Sequence, residues 1–519
     1  VNVGANIAGF LRDSARRHPG SVCIIEGDRT FTWAEVDRQV DAYAAGLAAR
    51  GLHPGERVAI LLGNSYEFVI AYFASARAGL VTVPLNPAYT SAEVAIMLAD
   101  SGARMLIVQP STKQVGEESS TALPGCEVIS VDGPDWQGIG ATGSAEPRPD
   151  ADLPDGALAL LLFTAGTSGR PKGAMLTHAA LRANIDMLLA LTDPPAVVDS
   201  DVVLVVLPMF HVYGLNTVLG TAMAAGATCV ISDRFDPAES LNLIAAHRVT
   251  TVAGAPGMYQ AWCATPGLRE AMSTVRLLSS GGAPLPVPVF TKFAELTGLE
   301  IFEGYGMTET APVVATTLVS GRPKAGSVGR PLPGLEIRLV DESGDGSGDE
   351  PDEDADDGPN EGDPGEVWVR GPSVFEGYWP DGAGGPDAEG WFRSGDVAYA
   401  DDEGDLHVVD RRREVILVNG FNVYPREIEL VIDDLEGVAE AAVVGVADDV
   451  TGEAVSALVV AKRGAILTPE QIADHCATRL ARFKCPTVIR VVEALPHSAT
   501  GKVAKGRLRD VYGDTGYGT

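Results

Sequence analysis

Lysine is scarce. The chain of 519 residues has 8 Lys beside 31 Arg, and its 39 basic residues face 70 acidic ones, for a formal net charge of −31. A protein so short of positive charge releases few counterions from a phosphate backbone, which excludes nucleic acid as a partner, and it gains nothing on an anionic lipid surface. Cysteine is scarce as well. Cys23, Cys126, Cys229, Cys263, Cys476 and Cys485 form no C-x-x-C pair and no metal-like spacing with histidine, so buried thiols in a reducing compartment are expected. Long apolar runs are missing: residues 157–163 and 202–207 are among the longest, far short of the ~20 needed for a membrane span. Residues 1–20 lack a basic region followed by an apolar one, so no secretion signal is expected and the cytoplasm is the expected location.

What is present reads as a large α/β enzyme. At about 150 residues per domain, the length allows two to four domains or subdomains. Thr32 and Glu35 have the spacing of a capping box, opening a helix that ends at Gly51. Strands are predicted over 57–62, 80–83 and 104–108, and helices over 65–78 and 91–100. The alternation resumes from 157 to about 310, with strands near 202–206, 228–231 and 275–278, which implies mainly parallel, helix-covered sheets. Residues 138–155, rich in Gly, Pro, Ala and Asp, read as a linker. Residues 341–366 hold 13 acidic side chains and no Lys or Arg, and read as a solvated loop of an enlarged hairpin between strands 335–340 and 366–370. After Asp410 the pattern restarts on a smaller scale: a helix over 425–434, strands over 441–446 and 454–461, and a helix over 469–481. The expected organisation is a large region, 1–410, and a small α+β domain, 411–519, with the boundary at Arg411-Arg412-Arg413.

The densest local signal is LLFTAGTSGRPKGAMLTH, residues 161–178. An apolar strand runs into a loop of Thr, Ser and Gly, then Pro-Lys-Gly, then a helix. Gly166 and Gly169 free the backbone N–H groups to face an anion. The hydroxyls of Thr164, Thr167 and Ser168 add donors, and Lys172 adds charge. The pattern suits a polyphosphate. It is not a Walker A loop, because Lys172 lies between Pro171 and Gly173 instead of preceding Ser or Thr.

Further motifs follow in order: LPMFHVYGL at 207–215, SSGGAP at 279–284, EGYGMTET at 303–310, WFRSGD at 391–396, DRRREVILVNGFNVYPRE at 410–427 and LPHSATGK at 495–502. With the Thr/Ser/Gly loop, this ordered set resembles the adenylate-forming superfamily of acyl-CoA ligases, luciferases and peptide-synthetase adenylation domains, over nearly the whole chain. The resemblance implies a large N-terminal region of two β-α subdomains plus a β-barrel, hinged to the small C-terminal domain. It implies ATP (or acyl-AMP and AMP), Mg²⁺ and coenzyme A as ligands, with a carboxylic acid as the small-molecule partner; a homodimer is compatible with it.

Residue roles are carried over on these motifs and checked against chemistry. Gly282, Ala283, Pro284, Glu303, Gly304 and Tyr305 are expected around the nucleotide, with adenine stacked on the Tyr305 ring. Thr308 offers a hydroxyl to the α-phosphate, and Glu309 is a hard oxygen ligand for Mg²⁺. Asp396 has two acceptor oxygens for the ribose hydroxyls, and Arg411 resembles the arginine that helps hold the ribose. Lys502 alone would read as a solvated tail lysine. In the family the matching lysine bridges carboxylate and α-phosphate, relieving the repulsion between two anions. His211 is expected to gate or position the acyl carbonyl and the thiol, since a CoA thiol is already a fair nucleophile near neutrality.

Val212, Tyr213, Thr217, Gly281, Gly306, Pro312 and Val313 match positions lining the acyl pocket. Phe210 is followed by His211, not by the aspartate that pairs with an α-amino group, so an acid with an uncharged tail, aliphatic or aryl, is expected. Gly420 would let backbone approach pantetheine, and Lys484 could meet the CoA phosphates. Two departures stand out: Ala165 replaces a frequent serine in the loop, and Arg413 occupies the hinge position where Asp or Lys is usual. They leave open a split-function ligase that only converts supplied acyl-AMP. An acyl-AMP ligase loading a carrier protein is the other alternative, against which the acidic, apolar-poor insertion argues, having little to pack on the small domain.

Overall fold

A computed structural model of the chain describes residues 6–141, 150–151, 153–154, 156–164, 171–340, 364–411, 416–418, 421–423, 425–448, 452–480, 482–497, 503–505 and 507–508. Ala165, Gly166, Thr167, Ser168, Gly169, Arg413, Gly420 and Lys502 lie outside this set, as do positions 142–149 of the expected linker and 341–363 of the acidic stretch. The chain divides into two compact units: Val1–Ile337 with Val369–Phe392, and Arg338–Trp368 with Arg393–Thr519.

Local signals set the helices of the first unit. Thr32 and Glu35 exchange side-chain and backbone hydrogen bonds, and the helix Trp33–Ala49 starts there. Thr90 and Glu93 do the same for Ser91–Ser101, while the Ser65 hydroxyl accepts from Phe68 N at the start of Tyr66–Arg77. The helix Pro134–Ala141 occupies the first residues read as linker.

Two sheets form the body of this unit. The six-stranded one runs, in spatial order, Glu127–Ser130, Met105–Val108, Arg57–Leu61, Val81–Pro84, Leu158–Thr164 and Lys172–Thr177. Its pairs are parallel except the last. Both faces are buried: Val58 and Ile60 enter one apolar cluster, Ala59 and Leu61 the other. This is why these strands read as continuous apolar runs. The nine-stranded sheet is parallel from Val22–Glu26 through Thr228–Ile231, Val202–Val205, Thr251–Gly254 and Leu277–Ser280 to Phe302–Gly306. Antiparallel strands close it at both edges. The early hairpin Val22–Thr32 therefore belongs to the second sheet, a crossing that no local signal announces.

Arg77 is fully buried and ties this unit together. It meets Asp37 at 2.7 Å, Asp41 at 2.9 Å and Asp150 at 3.0 Å, and Arg12 meets Asp41 and Asp150 at 3.0 and 3.1 Å. Three helices and Asp150 of the expected linker are thus cross-linked by paired charges.

His178 opens the helix His178–Leu189 inside the core, its Nδ1 accepting from Ile7 N at 3.3 Å. Burial pushes its pKa down to about 4 from 6.5. The unfolded chain therefore takes up a proton that the folded chain refuses, so stability is full above about pH 6.5 and falls as pH drops toward 4, by up to ~3 kcal/mol. His178→Gln should flatten this limb, measured as the difference in urea midpoints between variant and wild type from pH 7 to 4.5.

In the second unit, a four-stranded sheet runs in the order Glu336–Val340, Gly365–Arg370, Phe392–Ala400 and Leu406–Arg411. The two strands flanking the acidic stretch, expected as a hairpin, are neighbours. The C-terminal part forms a five-stranded sheet in which Gly452–Ala461 is central, pairing with Val438–Asp448, Ile416–Val418 and Val488–Val492. The helices Pro425–Asp433 and Pro469–Ala477 contribute Ile428, Ile432, Ile472 and Cys476 to its core. The second helix stops four residues before the expected end.

Candidate functional site

Lys172 does not lead into a helix. It begins the strand Lys172–Thr177, which turns back antiparallel on Leu158–Thr164 and places Lys172 opposite Thr164. The helix starts only at His178. Thr164 and Lys172 are therefore paired partners at the ends of two adjacent strands. The Thr164 hydroxyl donates to Lys172 O at 3.4 Å, and the lysine ammonium is exposed.

A second segment lies along the same strand. Met175 N donates to Gly377 O at 3.0 Å, and Trp379 N donates to Gly173 O at 2.8 Å. This pairing brings in Tyr378, which the sequence reading missed. Its hydroxyl donates to Glu309 Oε1 at 2.7 Å, and the Lys172 ammonium lies 5.2 Å from the centre of its ring. Lys172 and Glu309, from distant motifs, thus flank one tyrosine.

Glu309 sits in the short turn Thr308–Thr310, just after the strand Phe302–Gly306 that carries Gly304 and Tyr305. Tyr305, Thr308 and Glu309 are all half-buried. Gly306 is there for space: a Cβ would lie 2.1 Å from Pro312 O. Asn184 fixes the far side of the turn, donating to Val313 O at 2.8 Å. Glu303 is buried, and its carboxylate accepts from Leu285 N at 2.9 Å. It therefore holds the backbone just after Gly281, Gly282, Ala283 and Pro284. Gly282 has a φ of +83° with open space around it, a conformation suited to glycine.

The segment expected to line the acyl pocket is pinned by asparagines. Asn64 donates to Leu207 O at 3.0 Å and accepts from Met209 N at 2.8 Å, fixing the chain ahead of His211. His211 Nδ1 accepts from Tyr213 N at 3.3 Å, which leaves the proton of a neutral ring on Nε2. Tyr213–Gly220 then forms a π-helical stretch, a geometry frequent at functional sites. Asn216 ties it to the turn through Ala311 O at 2.7 Å. The Tyr213 ring packs on Gly281, where a Cβ would lie 3.2 Å away. Burial pushes this phenol up to about 12, so it stays neutral. Val212 points into the core, and the Thr217 hydroxyl is buried with no hydrogen-bond partner among the described residues. Asn64, Asn184 and Asn216 had one sequence signal, an amide inside an apolar run.

In the second unit, Asp396 and Arg411 occupy directly opposite positions of the antiparallel pair Phe392–Ala400 and Leu406–Arg411. The Ser394 hydroxyl accepts from Asp396 N at 3.0 Å, and Gly395 turns with a φ of +73°. Lys484 meets both carboxylate oxygens of Glu427 at 2.7 Å, so a CoA phosphate would have to compete with that pair. Asp401, Glu403 and Asp405 bring carboxylate oxygens together in one hairpin turn, where Asp401 accepts from the backbone of Glu403 and Asp405.

Residues 11–379 match the family model of the AMP-binding enzymes, and residues 427–502 match that of the AMP-binding enzyme C-terminal domain. A feruloyl-CoA synthase of an Amycolatopsis species is 37% identical over 509 residues, covering 96% of this chain and 97% of its own length. A long-chain-fatty-acid–CoA ligase of Bacillus subtilis strain 168 is 32% identical over 535 residues, covering 96% and 93%. The crystal structure of ATP-bound MatB from Rhodopseudomonas palustris superposes with a TM-score of 0.89 at 32% identity, covering 98% of this chain and 99% of that one.

Proposed function

The chain belongs to the AMP-binding enzymes of the adenylate-forming superfamily, and from that premise we propose how its residues divide the work. It is an AMP-forming acid–thiol ligase: it converts a carboxylic acid and ATP to acyl-adenylate and pyrophosphate, then passes the acyl group to the thiol of CoA and releases AMP. The split-function and carrier-loading alternatives are not favoured, because relatives matching nearly the whole chain are CoA ligases.

The observation that carries the residue assignment is the arrangement of Lys172 and Glu309 on either side of Tyr378. The Lys172 ammonium and the donors of the Thr/Ser/Gly motif receive the β- and γ-phosphates, while Thr308 donates to the α-phosphate. Glu309 fits a divalent cation: it is a half-buried hard oxygen donor, and only Oε1 is engaged by Tyr378. Mg²⁺ held there would shield the negative charge of the triphosphate. Tyr305 stacks on adenine, and Asp396 with Arg411 holds the ribose. Lys502 neutralises the charge that builds between the incoming carboxylate and the α-phosphate. After adenylation the small domain, hinged at Arg413, rotates; Lys502 withdraws, and Gly420 meets the pantetheine. His211, with its proton on Nε2, orients the acyl carbonyl. Six free cysteines suit the reducing cytoplasm, where we place the reaction.

For the acid we propose an aryl acid with a ring hydroxyl. The buried Thr217 hydroxyl without a partner supports it, since such a group is costly unless a ligand satisfies it. The feruloyl-CoA synthase likeness supports it too. A panel of carboxylic acids with ATP and CoA, scored by mass spectrometry for acyl-AMP and acyl-CoA separately, tests the reading. Hydroxylated aryl acids should rank first; a preference for long aliphatic acids would overturn it. Thr217→Val should lower kcat/KM for the hydroxylated acid about tenfold while sparing its deoxy analogue.

A further inference from the structure

We propose that Tyr378 is a positioning residue for Glu309, holding one carboxylate oxygen so that the other stays aimed at the divalent cation of the nucleotide. The inference rests on the reading of Glu309 given above and adds the group that makes that carboxylate a preformed ligand.

The hydrogen bond is charge-assisted, from a phenol to a carboxylate, at 2.7 Å. Its donor is fixed on every side. The ring meets Phe375 edge-on at 5.1 Å, and Phe375 meets Phe392 at 5.0 Å. Gly384 lies so close that a Cβ there would be 3.2 Å from the ring. A tight turn holds the backbone, with Gly382 N donating to Tyr378 O at 2.8 Å and Tyr378 N donating to Ala383 O at 3.1 Å. The same segment grips the main chain of its target, because Phe375 N donates to Glu309 O at 2.9 Å. Trp379 anchors it further, its indole N–H donating to Asp100 O at 2.9 Å.

A glutamate left to itself would lose rotamer freedom each time it bound a cation. Here that ordering is completed on folding, which leaves more of the interaction energy for binding. Lys172 belongs to the same unit. Its ammonium over the ring polarises the phenol and strengthens it as a donor. One tyrosine thus couples the stem of the phosphate hairpin to the carboxylate.

The test is ATP binding by calorimetry on the full chain, in excess EDTA and in excess Mg²⁺, for wild type, Tyr378→Phe, Glu309→Gln and the double variant. In Tyr378→Phe, affinity in EDTA should stay within about twofold of wild type, while the gain in affinity on adding Mg²⁺ should shrink about tenfold. The double variant should lose no more of that gain than Glu309→Gln alone. Equal losses with and without Mg²⁺ would mark a merely structural tyrosine and overturn the inference, as would losses that multiply in the double variant. A reduced gain in Glu309→Gln with a wild-type gain in Tyr378→Phe would overturn the role of Tyr378 alone. An unchanged gain in Glu309→Gln would overturn the reading of Glu309, and Tyr378 with it.

Discussion

Lys502→Ala is expected to lower ATP–pyrophosphate exchange by about 10²–10³-fold or more, while acyl-CoA formation from synthetic acyl-AMP stays within about threefold of wild type. The asymmetry follows from charge. In the first half-reaction a carboxylate anion approaches an anionic phosphate and a pyrophosphate departs with more charge. The only other lysine in the motifs is Lys172, which we assign to the β- and γ-phosphates, so none is left for the attacking side. In the second half-reaction the acyl group is already activated, and the thiol brings far less charge to be neutralised. Measuring the two halves separately decides the matter. Equal losses in both would mean that Lys502 serves a single closed site and that the small domain does not alternate.

Asp396→Ala should raise the ATP concentration needed for half-maximal adenylation by about 10²-fold or more, because two hydrogen bonds to a charged acceptor are lost, each worth about 1.5–3 kcal/mol. Asp396 is half-buried in a turn set by Ser394 and Gly395, at the strand position opposite Arg411. ATP lacking both ribose hydroxyls supplies the control. Wild type should bind it as weakly as the variant binds ATP, and the variant should lose nothing further on that analogue. If the analogue costs the variant another large factor, Asp396 does not hold the ribose.

The boundaries of these assignments match the range of the interactions. The capping pairs Thr32–Glu35 and Thr90–Glu93 span three residues and were legible or easily checked in the sequence. The strands near 57–61, 202–205 and 228–231 were legible as apolar runs because both faces of their sheets are covered. The strand at Lys172 was mistaken for a run into a helix because Pro171-Lys172-Gly173 carries turn residues, while its strand character comes from pairing with Leu158–Thr164. Glu303 matched a nucleotide motif, and the structure adds that one of its carboxylate oxygens accepts from Leu285 N, 18 residues away. The acidic stretch supplies 13 of the negative charges, leaving −31 + 13 = −18 for the rest of the chain. Scarce lysine therefore does not prevent an acidic protein from binding ATP and CoA, provided its few cations stand where the phosphates go.

The reaction class follows from the likeness of the ordered motifs to the adenylate-forming superfamily, and the capped helices follow from residues a few positions apart. Only the tertiary structure decided which polar groups meet. Tyr378 and Glu309 are 69 residues apart, Arg77 and Asp150 are separated by the strands Val81–Pro84, Met105–Val108 and Glu127–Ser130, and Lys484 is claimed by Glu427 across 57 residues. Periodicity reports which face of an element is buried, because burial acts on every turn or every second residue. It carries no record of which buried donor finds which acceptor, because that depends on the path of the chain between them.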